Sequence, residues 1–286
     1  MSSSKAEPGH ASTWQPLVED WLPVFPRENP ALAQFCPQVL DVLASCREFP
    51  PVDQWAALRP QRGAGSQAPA GASFVPQDER AVRAAGGYDF YIRDTGSVPS
   101  RPGSWHDLFN ALIWSHYPRT KRAIHQLQLT DHATRRDPAR RTPLGDVATL
   151  LDECGVVMLS TDPTLFDDLR GLRWRRLFYE RRAELAVNAR FLVVGHALLH
   201  AMLNPYIGLM GHALLLPADD DALASAGATR DFVDHWSEQC LAAAVQRTSD
   251  LKPLPLLGVP GYARNDSPAF YDDLPEYFRT TRRPKA

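Results

Sequence analysis

Residues 104–117 read SWHDLFNALIWSHY, and the organisation of the chain follows outward from this stretch. Ser104 carries the hydroxyl of a helix N-cap, and Asp107, three residues on, is placed for a variant of the capping box. At 3.6 residues per turn, Trp105, Leu108, Phe109, Leu112, Ile113 and His116 share one face, which must be buried. His106, Asn110 and Tyr117 border that face, so three polar tips line one edge of an apolar stripe. A pocket is expected there.

The 286-residue chain is 44% hydrophobic and 22% charged, an ordinary globular composition with material for a sizeable core. A net charge of −2 offers no overall field for nucleic acid or a membrane surface. Twenty-five prolines predict many short elements and fixed loops rather than a long-helix bundle. The opening MSSSKAEPGH lacks the apolar core of a signal peptide. The longest apolar run, Phe191–Leu203, is about 13 residues, short of the ~20 that span a bilayer. Cys36, Cys46, Cys154 and Cys240 form no CxxC, so they read as reduced thiols in a cytoplasmic protein with no membrane partner.

The predicted fold is α+β: a predominantly helical main domain with a few short strands and an N-terminal helical region. Residues 1–12 read as disordered and 13–59 as a helical cap, with helices expected over Thr13–Phe25, Pro30–Cys46 and Val52–Leu58. Residues 60–73, rich in Gly, Ala and Pro, read as a linker. The main domain then runs 74–286, ending in a Pro-fixed aromatic tail expected to wrap across the surface. Within it, Tyr88–Arg93 (YDFYIR) alternates aromatic and polar residues and predicts an extended segment. Pro118 and Thr142-Pro143 open helices, the second ending at Gly155 as a C′ residue. Val156–Ser160 (VVMLS) and His212–Leu216 predict strands. Asp162-Pro163 caps a short helix, and Leu172–Leu185 and Thr229–Gln246 predict longer ones. Phe191–Leu203 (FLVVGHALLHAML), apolar all round, predicts a central helix.

Seven of the nine histidines fall between positions 106 and 212. His196 and His200 lie one helical turn apart, where two imidazoles either chelate one metal ion or each find a carbonyl or carboxylate partner. The Glu that follows the first His in HExxH is absent. His106 can serve as metal ligand or general base, with Asn110 one turn on to orient a substrate and Asp107 beside it. As a helix-start residue, Asp107 also has a purely structural explanation. Asp152 and Glu153 stand at a helix C-terminus, where the dipole disfavours them, and so become candidate metal ligands. His116 reads as a satisfied core histidine, and His125 and His132 as surface residues. Between Arg119 and Arg141 there are seven Lys/Arg against two Asp, and Arg119, Lys121 and Arg122 are the expected anion-binding residues. GxGxxG, GxxxxGK[ST], GxSxG and paired CxxC are all absent, which removes the main support for nucleotide-fold, P-loop, hydrolase-elbow and zinc-ribbon readings.

The segments VPSRPGSWHDLFNALIWSHYPRTK, LLDECGVVMLS, VVGHALLHAMLNP, PLPLLGVPGY and FYDDLPEYFR, in that order, resemble a bacterial family of unknown function over roughly residues 74–279. The resemblance implies no reaction and no ligand set. The family often has an acid where this chain carries His200. The leading expectation is a metal-assisted hydrolase in which His106, His196 and His200 approach one another and Asp107, Asp152 or Glu153 adds carboxylate oxygen. Zn, Mn or Fe would suit such donors, and a phosphate-containing small molecule or nucleic acid would be the partner. The alternative is a non-catalytic module that binds nucleic acid or a protein through its Arg-rich segments.

Overall fold

A computed structural model describes residues 17–25, 29–60 and 72–281. The stretches expected to be disordered (1–12) and most of the linker (61–71) lie outside the described residues, as do 13–16 of the first expected helix. In chain order the helices are α1 (Pro37–Ser45), α2 (Glu79–Ala84), α3 (Tyr88–Thr95), α4 (Trp105–His116), α5 (Pro118–Thr134) and α6 (Pro143–Cys154). They continue with α7 (Pro163–Arg170), α8 (Arg182–Asn188), α9 (His196–Ala201), α10 (Asp220–Leu223), α11 (Ala226–Ala244) and α12 (Ala269–Asp272). Strands β1 (Ser73–Pro76) and β2 (Ser97–Ser100) pair in parallel. Strands β3 (Gly155–Ser160), β4 (Ala189–Val193), β5 (Met210–Pro217) and β6 (Lys252–Pro255) form a mixed sheet in the order β4-β3-β5-β6. The protein is therefore a helix-dominated α+β domain. Among the described residues no helix is long and apolar enough to cross a membrane.

Helix α4 lies at the centre. The Ser104 hydroxyl accepts from the Asp107 amide at 3.3 Å, as its position in the sequence demands. Asp107 does not return the bond to Ser104. Its carboxylate instead takes the Arg101 amide at 2.6 Å and the Arg101 guanidinium at 2.8 and 3.1 Å. Every residue of α4 except His106 is buried, so the one-sided burial expected of it extends round the whole helix. The added cover comes from the N-terminal segment. Trp21 stacks on Trp105 with centroids 4.7 Å apart, and Phe25 and Phe49 meet the same indole edge-on. His116 is a satisfied core residue, accepting from the Cys36 amide at 3.2 Å and lying 3.0 Å from Leu112 O.

Strand β3 is buried along its whole length because β4 and β5 flank it and helices cover its faces, which explains a run of apolar residues without alternation. Several expectations need correction, among them the single helix over Pro30–Cys46, which is a 3-10 turn at Pro30–Gln34 followed by α1. YDFYIR is not extended: it forms α3, bracketed by Gly87 at φ 131° and Gly96 at φ 68°. Two glycines with left-handed backbone isolate eight residues whose spacing also suits a helix. Residues 17–24 form no helix, so the helix expected over Thr13–Phe25 is not seen in its described part. The run Phe191–Leu203 is no continuous helix either. Its first part is β4, paired antiparallel to β3, and the helix begins only at His196.

The break falls at Gly195, and its cause is steric. A Cβ there would lie 2.4 Å from Gly155 N and 2.5 Å from Glu153 O. Both the Val194 and Gly195 amides donate to Gly155 O, at 3.0 and 2.9 Å. Gly155 is likewise not the left-handed C′ residue expected. Its φ is −71°, and what excludes a side chain is Leu151 O, 2.2 Å from where a Cβ would stand. Gly195→Ala is therefore expected to destabilise the fold by at least the ~1–3 kcal/mol typical of overpacking, since main chain cannot yield as a side chain does. Urea unfolding of that variant checks this. A midpoint equal to that of the unmodified protein would contradict the steric account.

Candidate metal centre

The Gly155–Gly195 contact decides which side chains meet. It lays the C-terminus of α6, with Asp152 and Glu153, against the first residue of α9, His196. From the opposite side α4 presents His106, its one residue that is not buried. One ligand atom from each of His106, Glu153 and His196 lies within 4.8 Å of the others, and this is the group of that kind found among the described residues. Glu153 Oε2 is 3.3 Å from His106 Nε2 and 3.5 Å from His196 Nε2. Two donors bound 2.0–2.1 Å from a tetrahedral ion stand roughly 3.3–3.4 Å apart, so these spacings are those of neighbouring ligands. The two imidazoles meet edge to face, with centroids 4.3 Å apart.

Each imidazole also has a second carboxylate behind it. His106 Nδ1 is 3.2 Å from Asp107 Oδ1, and His196 Nδ1 is 4.0 Å from Asp152 Oδ1. Both acids are matched by a cation, Asp107 by Arg101 and Asp152 by the buried Lys121. The two histidines consequently differ. Hydrogen bonds to Asp107 and then Glu153 push the His106 pKa up to about 9, whereas burial pushes that of His196 down to about 4. Burial works to raise both Asp152 and Glu153, yet Lys121 for the first, and His106 for the second, hold them below the usual carboxylate range. Asn110 Oδ1 and His196 Nδ1 are buried without a hydrogen-bond partner, Asp152 Oδ1 standing beyond hydrogen-bond reach of the imidazole at 4.0 Å.

The cluster forms part of the wall of a cleft of ≈480 Å³. Asn110 reaches it from α4 and donates through Nδ2 to Tyr88 Oη at 3.0 Å. Residues 72–282 match a family described as "Protein of unknown function (DUF3025)". The chain belongs to the DUF3025 family. Comparison with curated proteins and with solved structures returns no match. The DUF3025 region contains all three clustered residues and the cleft, whereas Trp21, Phe25 and Phe49, which cover Trp105, precede it.

Within the DUF3025 region the candidates separate. His106, Asp107, Asn110, Asp152, Glu153 and His196 all line the cleft. His200 does not join them: its Nε2 lies 2.9 Å from Val18 O. The approach of three histidines therefore gives way to two histidines and a glutamate. Tyr117 sits at the far end of α4, buried and away from the cleft, because i+11 is three turns along the helix axis. Arg119, Lys121 and Arg122 form no common anion site. Lys121 is buried against Asp152, and Arg119 pairs with Glu238 while its amide donates to Asp234 at 2.8 Å. Only Arg122 of the three is exposed. In the second Arg-rich segment Arg173, Arg176 and Arg181 all pair with the buried Asp168, the first two from exposed positions.

His125 and His132 are not surface residues of no consequence, since they bond the Asp89 carbonyl and carboxylate, each at 2.9 Å. Tyr88, Asp89, Arg101, Arg135 and Arg141 line the cleft and have no motif to announce them. Reading YDFYIR as extended hid the first two. The opposed shifts of the two histidines fix a pH profile for the metal-free protein. Between pH 4 and 6.5 only the unfolded chain protonates His196, so the contribution of the cluster to stability rises with pH. Between 6.5 and 9 only the folded chain keeps His106 protonated, so that contribution falls. NMR titration should show one of these imidazoles titrating near pH 4 and the other near 9. Two titrations near 6.5 would refute the arrangement.

Proposed function

We propose that the cleft is the active site of a metal-dependent hydrolase, with His106, His196 and Glu153 as the protein ligands. The observation that carries this is the pair of Nε2 atoms facing one carboxylate oxygen at 3.3 and 3.5 Å, each imidazole having a carboxylate on its Nδ1 side. Ligating histidines commonly hand their second nitrogen to such a carboxylate, which sets the tautomer and aims the ring. Two imidazoles and one carboxylate suit Zn, and equally Mn or Fe, while leaving coordination positions open.

A divalent ion held there supplies Lewis acidity and an activated water. The protein does the rest. Asp107, gripped by Arg101, keeps His106 oriented with Nε2 toward Glu153. Asp152 places a charge 4.0 Å behind the His196 ring without bonding it, and Lys121 keeps that charge from drawing a proton onto the imidazole. Asn110, held by Tyr88, keeps its buried Oδ1 free to position a substrate.

The test is metal content. Protein loaded with Zn or Mn and then dialysed is expected to retain one equivalent by elemental analysis. His196→Ala and Glu153→Gln should lose it, Asp107→Asn should weaken binding about 10–100-fold, and His200→Ala should leave it unchanged. Unmodified protein that holds no metal, or a His196→Ala variant that holds it as well, would overturn the proposal.

A further inference from the structure

Resting on that reading of the centre, we infer its substrate class: a small, hydroxyl-bearing phosphomonoester whose phosphate is taken by Arg101, Arg135 and Arg141. These guanidiniums come from three separate segments, the end of β2, the end of α5 and the loop before α6, and they line the same cleft as His106, Glu153 and His196. Two are fixed in place. Asp107 holds Arg101 through Nε and Nη2, and the buried Asp131 holds Arg135 through the same two nitrogens. Asp131 is itself anchored by the Thr142 amide at 2.8 Å. A guanidinium gripped through Nε and Nη2 keeps further N–H donors for a ligand, although Arg135 Nη1 gives one of its own to Pro138 O at 3.4 Å. Arg141 is exposed and makes no hydrogen bond or ion pair among the described residues. A planar carboxylate is satisfied by one fork, whereas a tetrahedral dianion offers three terminal oxygens to donors arriving from different directions.

The rest of the lining describes what the phosphate is attached to. Among the described residues, no Leu, Ile, Val, Met, Phe or Trp lines the cleft. A lipid tail or an apolar peptide side chain would find little surface there. Gln77, Gln128 and Thr149 stand beside Asn110, whose buried Oδ1 lacks a donor that a ligand hydroxyl would supply. A volume of ≈480 Å³ holds a small metabolite and no folded nucleic acid. The reaction balances with water alone. The oxygen of water bonds to phosphorus, the bond from phosphorus to the ester oxygen breaks, and the departing oxygen leaves as the alcohol with one proton of the water. Inorganic phosphate is the other product.

Calorimetric titration of the full chain, metal-loaded and metal-free, with inorganic phosphate and with acetate tests this. Phosphate is expected to bind at least tenfold more tightly than acetate. Arg141→Ala, an exposed position with no structural bond to lose, should weaken phosphate at least fivefold, and Arg135→Lys should do so comparably. The loaded chain should also release phosphate from glycerol 2-phosphate, slowed by Arg141→Ala. Phosphate that fails to bind either form, binds no better than acetate, or ignores the loss of Arg141 would overturn the inference. If the protein retains no metal but metal-free chain still binds phosphate through Arg141, the metal reading fails while the anion site stands. Metal retention without phosphate binding leaves the metal centre standing and removes the phosphate site.

Discussion

Two backbone amides converging on one carbonyl set the geometry on which the centre depends. Val194 and Gly195 both donate to Gly155 O, and neither Gly155 nor Gly195 has room for a Cβ. The contact forces β4 to stop and α9 to start at His196. It also brings the end of α6 alongside, so that Glu153 and His196 face each other across a gap of ligand size. Main chain pressed on main chain is stiffer than any side-chain packing. That stiffness suits a site whose donors must be held to within a fraction of an ångström.

Around this junction lies an unusual density of buried charge, and its pairing is orderly. Three acids lining the cleft each have their own cation: Arg101 for Asp107, Lys121 for Asp152, Arg135 for Asp131. Removing one partner of a largely buried pair such as Lys121–Asp152 typically costs about 3–5 kcal/mol because the other is left uncompensated, whereas an apolar replacement of both is often no worse than the pair itself. Stability alone therefore gives little reason to keep them. Orientation does: the pairs leave Glu153 as the carboxylate that faces both imidazoles and hold the flanking acids behind the rings.

Much of this is legible in the chain itself, and the parts that are not share a cause. Helix α4 can be read from Ser104 and a 3.6-residue period, and β3 and β5 from their apolar runs, because local signals there agree with tertiary packing. Asp152 and Glu153 stand out for lying at the wrong end of a helix dipole. The run at 191–203 misleads because its apolar character is common to a buried strand and a buried helix, and only the collision at Gly195 separates them. The same ambiguity extends to His200, which looks like the partner of His196 by helical spacing. The residues that meet His196 come instead from α4 and α6, at sequence distances no periodicity reports. Arg101 and Arg135 are invisible for the same reason, since nothing local states which carboxylate will orient them.

The central claim is that His106, Glu153 and His196 share one ion, and X-ray absorption at the zinc edge of the Zn-loaded protein addresses it most directly. The account requires two imidazole nitrogens and at least one oxygen at about 2.0–2.1 Å, with the imidazole scattering reduced to one ring in His106→Ala and in His196→Ala. A spectrum with sulfur in the first shell, or with imidazole scattering that survives both substitutions intact, would contradict it.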